Sequence, residues 1–163
     1  MDVAALDAIP KAEFVVAVAP LFDGAPHFLD RLSSARPFGV AEEMFRRARA
    51  IALSMPESEQ IELINAHPRL GAPPSSVSAM SHAEQGYDRD TTEAMADLDR
   101  LNREYEARFG FRFCVFVAGR SRAELVPVLE AALAAERTAE IQRALGDVVA
   151  IARDRFGAPE TVA

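Results

Sequence analysis

A compact all-α domain, a helical bundle of about seven or eight helices, is the fold this sequence predicts, on three observations. Apolar residues recur three or four apart through most of the chain, the spacing that lines one face of a helix. Serine–glutamate pairs, glycines and prolines fall at the ends of those runs, where helices start and stop. Only Phe113, Cys114, Val115, Phe116 and Val117 combine aromatic and β-branched character as a strand would, and five residues make at best a short extended segment.

Taken in order, the first helical run covers residues 12–22. A second begins at His27, after the turn-forming Gly24-Ala25-Pro26. Runs over 41–53 and 56–66 follow, the latter introduced by Ser54-x-x-Glu57, a match to the reciprocal capping box. Residues 71–80 hold two prolines and three serines and read as a loop. Ser81-x-x-Glu84 repeats the capping pattern and opens a short helix with Glu84 and Gln85 in its first turn. Between 91 and 109, Ala94, Leu98, Leu101, Tyr105 and Phe109 line one face, and Gly110 supplies the left-handed stop. Ser121-x-x-Glu124 caps a run over 122–135 carrying Leu125, Val126, Leu129, Ala132 and Leu133. The last run aligns Ile141, Leu145, Val148, Ile151 and Phe156 before Gly157 and Pro159 end it.

Composition narrows the function classes. A chain of 163 residues forms one domain, 1–163, and buries roughly 70% of its unfolded surface, so it needs no metal or disulfide staple. The net charge of −7 argues against sequence-blind nucleic-acid binding, which needs cationic surface. A single cysteine, Cys114, with three histidines makes a poor zinc cage, so no metal is expected. Met1 to Pro10 carries Asp2 and Asp7 and lacks the cationic start of a signal peptide, and no apolar stretch is long enough for a bilayer. The expectation is a cytoplasmic protein with no membrane partner. Of 18 basic residues only Lys11 is lysine.

Few residues can carry chemistry. His67, in Asn65-Ala66-His67-Pro68-Arg69-Leu70-Gly71, follows a helix, and Pro68 biases it out of helical geometry so that its ring turns outward. It can serve as an acid or base near neutral pH, or it can cap the preceding helix. Glu84 is open to the same two readings: it can orient an imidazole, or satisfy the first amides of its own helix. His82 lies within that capping box and is expected to face solvent. His27 has no nameable partner. Gly110 within Phe109-Gly110-Phe111-Arg112-Phe113 either lets a flat ligand approach or ends a helix before core phenylalanines. Arg153 and Arg155 complement a helix C-terminus, or one forks onto a carbonyl or carboxylate.

In combination these residues are more specific. The order His67-Pro68-x-Leu70-Gly71, Ser81-x-x-Glu84-Gln85, Leu101-Asn102-x-x-Tyr105-x-x-x-Phe109-Gly110-Phe111-x-Phe113 and Ile151-Ala152-x-x-Arg155 resembles the OHCU decarboxylase family. Ala35-Arg36-Pro37-Phe38 adds to the resemblance, which runs over about residues 14–156. The family acts on 2-oxo-4-hydroxy-4-carboxy-5-ureidoimidazoline (OHCU), between urate and allantoin. The resemblance implies an all-helical decarboxylase without cofactor, a homodimer that yields (S)-allantoin from its small-molecule substrate. It assigns His67 as the proton donor and Glu84 as the carboxylate beside it. Gln85 and Arg155 would hold the heterocycle and its oxygens. Pro68 and the stretch Phe113, Cys114, Val115, Phe116 and Val117 would line the pocket, partly through backbone groups.

The chain departs from the family pattern at Arg112, where proline is usual, at Tyr87, and at Ala132 and Ala135, which replace an arginine and an asparagine. These departures leave room for a related ureide or imidazoline substrate, and for Arg112 or Arg153 to join the site. A non-catalytic paralogue acting as an interaction module is the alternative of another class, against which the presence of both His67 and Glu84 argues. Hydrolysis of a cyclic ureide could use the same pair. A metal-dependent hydrolase is disfavoured, because no two histidines share ligand spacing.

Overall fold

The computed structural model describes residues 1–71 and 92–158. The predicted loop from 72 on, the Ser81-x-x-Glu84 box, His82, Glu84, Gln85 and Tyr87 lie outside the described residues, as does Pro159. The fold is all-α, and no strand occurs among the described residues. The chain divides into two compact units, Met1–Ala66 with Leu145–Ala163, and His67–Ala144.

The first unit opens with α1 (Val3–Ala8), whose cap is the Asp2 carboxylate accepting from the Ala4 amide at 3.3 Å. Sequence periodicity gave this short helix no signal. Next comes α2 (Lys11–Val18), followed by a single 3₁₀ turn (Ala19–Leu21). The continuous helix expected over 12–22 is therefore interrupted. Pro20 has no amide to donate and its ring crowds the carbonyl four residues back, so the α-helix stops at Val18. Asp23, Gly24 and Ala25 then all take positive φ, and the chain reverses into α3 (Pro26–Ser34).

α4 (Ala41–Ser54) and α5 (Glu57–Asn65) match the predicted runs, but the predicted cap between them does not form. Ser54 is still helical, and its hydroxyl donates to its own helix at Ile51 O, 3.2 Å away. Pro56, with φ fixed near −55°, takes the cap position instead, with no side-chain hydrogen bond. α3 packs on α2, α4 and α5 around Phe14, Phe28, Leu32 and Leu63, all fully buried.

In the second unit α6 (Thr92–Phe109) packs along α7 (Arg122–Leu133). Here the predicted capping box is present: Glu124 N donates to Ser121 Oγ at 3.2 Å, and Ser121 N to Glu124 Oε2 at 2.7 Å. Gly110 ends α6 with φ +81°. Phe111 and Phe113 then turn inward and, with Phe109 of α6, surround Tyr105, whose ring centroid lies 4.6 Å from that of Phe109, 5.7 Å from that of Phe111 and 5.2 Å from that of Phe113. The helix-stop reading of Gly110 holds. The last helix, α8 (Arg137–Gly157), starts one turn before its predicted apolar face. Residues 137–144 belong to the second unit and 145–157 to the first.

Candidate active site around the His67 turn

Proline sets the position of His67. α5 ends at Asn65, Ala66 closes it in helical geometry, and Pro68 bars His67 from continuing it. The turn does not present the imidazole outward, as expected from sequence: His67 is buried, 3% exposed. The reason lies in what the following residues bind. Leu70 is buried, and its carbonyl accepts from Asn102 Nδ2 at 2.7 Å. Gly71, with φ +82°, comes against Leu98 of the same helix. Arg69 pairs with Glu106 at 3.1 Å, and Arg112 Nη1 donates to His67 O at 3.3 Å. Residues 67–71 are thus tied to α6 and to the loop that follows it.

Asn102 had a place in the sequence motif but no role. A polar residue between Leu98 and Tyr105 on the buried face of α6 was the available signal, because buried polar groups are nearly always hydrogen-bonded to something. Arg112, which stands where the family has proline, is itself exposed and holds the histidine by its backbone.

Residues 113–117 lie outside any helix and form no strand among the described residues. Phe113, Cys114 and Val117 are buried, and Val115 and Phe116 are half-buried. The carbonyls of Cys114, Phe116 and Val117 are held by guanidinium groups. Arg120 Nη2 donates to Phe116 O at 2.7 Å and Nε to Val117 O at 3.0 Å. Arg143 Nη1 donates to Cys114 O at 2.9 Å. Arg143 is also forked on Glu140, which accepts from the Tyr105 hydroxyl at 2.7 Å. Burial, and then the Glu140 carboxylate, push the Tyr105 phenol far above its usual range, so it is protonated and donates.

Arg155 belongs to the first unit. It is buried and forks on the turn after α2: Nη1 donates to Pro20 O at 2.9 Å and Leu21 O at 3.3 Å, and Nη2 pairs with Asp23 Oδ2 at 3.1 Å. The carbonyls and carboxylate that Arg155 forks onto here are those of its own chain, at residues 20–23. Arg153 is exposed, its guanidinium 5.4 Å from the Phe45 ring centroid. His27 gains the partner the sequence could not name. Glu62 of α5 accepts from its amide at 3.2 Å and contacts Nδ1 at 2.8 Å, and this carboxylate raises the imidazole pKa. Among the described residues no three His, Cys, Asp or Glu side chains are grouped to hold a metal.

An open groove of about 520 Å³ runs along α7, lined by Pro127, Val128, Ala131, Ala132 and Ala135 with Glu140 and Arg143. Two of the departures from the family pattern, Ala132 and Ala135, therefore share one surface.

A small all-helical protein with a buried histidine at a proline turn and no strand among its described residues defines the class. The OHCU decarboxylase family model matches residues 7–157, and the chain belongs to that family. It is 30% identical over 138 residues to the uric acid degradation bifunctional protein PucL of Bacillus subtilis, covering 83% of this chain and 28% of that protein. The chain spans less than a third of the two bifunctional Bacillus proteins it matches. It is 28% identical to the 2-oxo-4-hydroxy-4-carboxy-5-ureidoimidazoline decarboxylase of Haloferax volcanii, covering 88% of this chain and 86% of that one. Its fold matches a crystal structure of OHCU decarboxylase in the presence of (S)-allantoin, with TM-score 0.71 and 23% identity over 85% of this chain and 92% of that chain.

Proposed function

We propose that this chain decarboxylates OHCU to (S)-allantoin in urate degradation, without a cofactor, as one domain over 1–163. The observation that carries this is the family match over 7–157, which includes the pinned His67 turn. In the reaction the bond from the ring carbon to the carboxylate breaks and CO2 leaves. The electron pair passes into the adjacent ring imine, so the substrate supplies its own electron sink. A proton is then delivered to one face of the resulting intermediate, and that single-sided delivery fixes the handedness of the product. His67 is the donor. Its burial supports this role, since a proton held away from bulk water is delivered from one direction.

Glu84 orients or charges His67, and Gln85 holds the heterocycle; both assignments rest on the motif. Pro68 and residues 113–117 line the pocket, where the half-buried Val115 and Phe116 are the members open to a ligand. The motif alone assigns Arg155 to the substrate oxygens. The protein acts as a cytoplasmic homodimer. No helix among the described residues is long and apolar enough to cross a membrane.

The test is circular dichroism of allantoin formed from freshly generated OHCU, with and without the purified protein. Spontaneous decay gives a racemate without signal. An optical signal that grows faster than background supports the proposal, and a flat trace from folded protein overturns it.

A further inference from the structure

Residues 113–117 have no strand partner among the described residues, and guanidinium groups help to orient their peptide groups by holding the carbonyls of Cys114, Phe116 and Val117. Arg143 does this at Cys114. Its guanidinium has little freedom: Nε lies 3.0 Å from Glu140 Oε2, Nη2 lies 2.9 Å from Glu140 Oε1, and Cζ stands 4.9 Å from the Phe113 ring centroid. Glu140 is 3% exposed and is fixed in turn by the Tyr105 hydroxyl. The nitrogen left to reach the chain, Nη1, donates to Cys114 O.

That bond has a consequence on the other side of the peptide. A trans peptide is planar, with its carbonyl and amide pointing in opposite directions. Holding Cys114 O against Arg143 therefore turns the Val115 N–H away from Arg143. Among the described residues no carbonyl accepts from the Val115 amide, and Val115 is half-buried. A guanidinium on the carbonyl also draws electron density from the peptide, which strengthens its N–H as a donor.

We propose that Arg143 is a positioning residue: with Glu140 and Tyr105 it aims the Val115 N–H at an acceptor oxygen of the ureide substrate. The assignment rests on the reading that residues 113–117 line the decarboxylase pocket. It gives a purpose to the Tyr105–Glu140–Arg143 relay, whose first two members are buried.

The test uses Arg143→Ala and Arg143→Lys in the full chain. The side chain is 31% exposed and borders the α7 groove, so added guanidinium ion can reach the vacated place. With OHCU as substrate, Arg143→Ala should lower kcat/KM by about tenfold, the scale of one hydrogen bond, with most of the change in KM. Guanidinium should restore part of it, which a general loss of structure would not allow. Arg143→Lys keeps the charge but not the fork, and should recover less than half of the loss. In a ¹⁵N-labelled sample the Val115 amide resonance should move in Arg143→Lys. Wild-type kcat and KM in folded Arg143→Ala overturn the assignment. Where Arg143→Ala does not fold, an unmoved Val115 resonance with unchanged kcat/KM in Arg143→Lys overturns it. A wild-type protein inactive on OHCU refutes the decarboxylase reading alone, and the Val115 resonance then still decides whether Arg143 sets that peptide.

Discussion

Arg155→Met removes a charge from the best-buried ion pair among the described residues while keeping much of the side chain's length. The interactions to Pro20 O, Leu21 O and the Asp23 carboxylate are lost. The arginine side chain is 2% exposed and that of Asp23 12%, so the carboxylate left behind is poorly solvated. Breaking one side of a buried pair costs about 3–5 kcal/mol, and the partial access of Asp23 to water places this case near about 3 kcal/mol. The turn being held is also unfavourable by itself, since Asp23 and Ala25 both have positive φ, at 54° and 53°, where side chains are strained. For a chain of this size the loss lowers Tm by about 6–12 °C. Thermal unfolding followed by circular dichroism measures it, with Asp23→Asn and the double variant completing a cycle. A coupling of at least about 1 kcal/mol is expected. A Tm within about 2 °C of wild type, with KM for OHCU raised, would refute the clamp and leave Arg155 as a substrate ligand only.

Three further outcomes are expected. His67→Asn keeps a polar side chain in the buried turn and should lower stereoselective turnover by about 10²-fold or more, with Tm nearly unchanged; the enantiomeric excess of the allantoin and the melting curve check this together. Ser121→Ala removes one half of the capping box of α7 and should cost about 1 kcal/mol, seen as a Tm lower by about 2–4 °C. The His27 pKa is raised, chiefly by its hydrogen bond to Glu62 and then by that carboxylate's charge, with Glu59 adding and Arg31 opposing. Its stabilisation is thus complete below the unfolded value of about 6.5 and is lost as pH rises through the higher folded value. Melting curves on both sides of that interval should show a step in wild type that is absent in Glu62→Gln.

The helices were legible because their apolar spacing and their stops are local. α6 shows this best, with Leu98, Leu101, Tyr105 and Phe109 on one face and Gly110 at its end. Where a local rule met a second local rule, pattern alone misjudged the outcome. Pro20 cut a run that its neighbours would have continued, and Pro56 displaced Ser54 as a cap. Features set by distant partners were not legible at all. Nothing near His27 announces Glu62, 35 residues away, and nothing near Leu70 announces Asn102, 32 residues away. The burial of His67 belongs to this second kind. Pro68 fixes that the chain turns there, but the ties of Leu70 and Arg69 to α6 are made by residues more than thirty positions away.

The arginine excess has a physical reading of the same long-range kind. A helical chain satisfies its carbonyls within helices, but its turns and extended segments must find donors elsewhere. Here, beside the Asn102 amide on Leu70 O, many of the donors are guanidinium groups. Arg36 takes the carbonyls of Leu6, Ile9 and Ser33, and Arg47 those of Ala35 and Pro37. Arg137 takes that of Phe109, and Arg120, Arg143, Arg155 and Arg112 act as described. A lysine ammonium could meet one such carbonyl, but its flexible stem has no fork to bind a second group in fixed geometry. Lys11, the lone lysine, instead makes an exposed pair with Asp30. These arginines therefore serve turns, helix ends and non-helical chain, whereas Arg31, Arg46, Arg100 and Arg103 pair with carboxylates on helix surfaces. His67 and residues 113–117 lie in the non-helical chain, so their geometry depends on Arg112, Arg120 and Arg143 as much as on the helices. Substitution of those arginines should accordingly change catalysis more than helix content, whereas Ser121→Ala should change stability and leave kcat/KM alone.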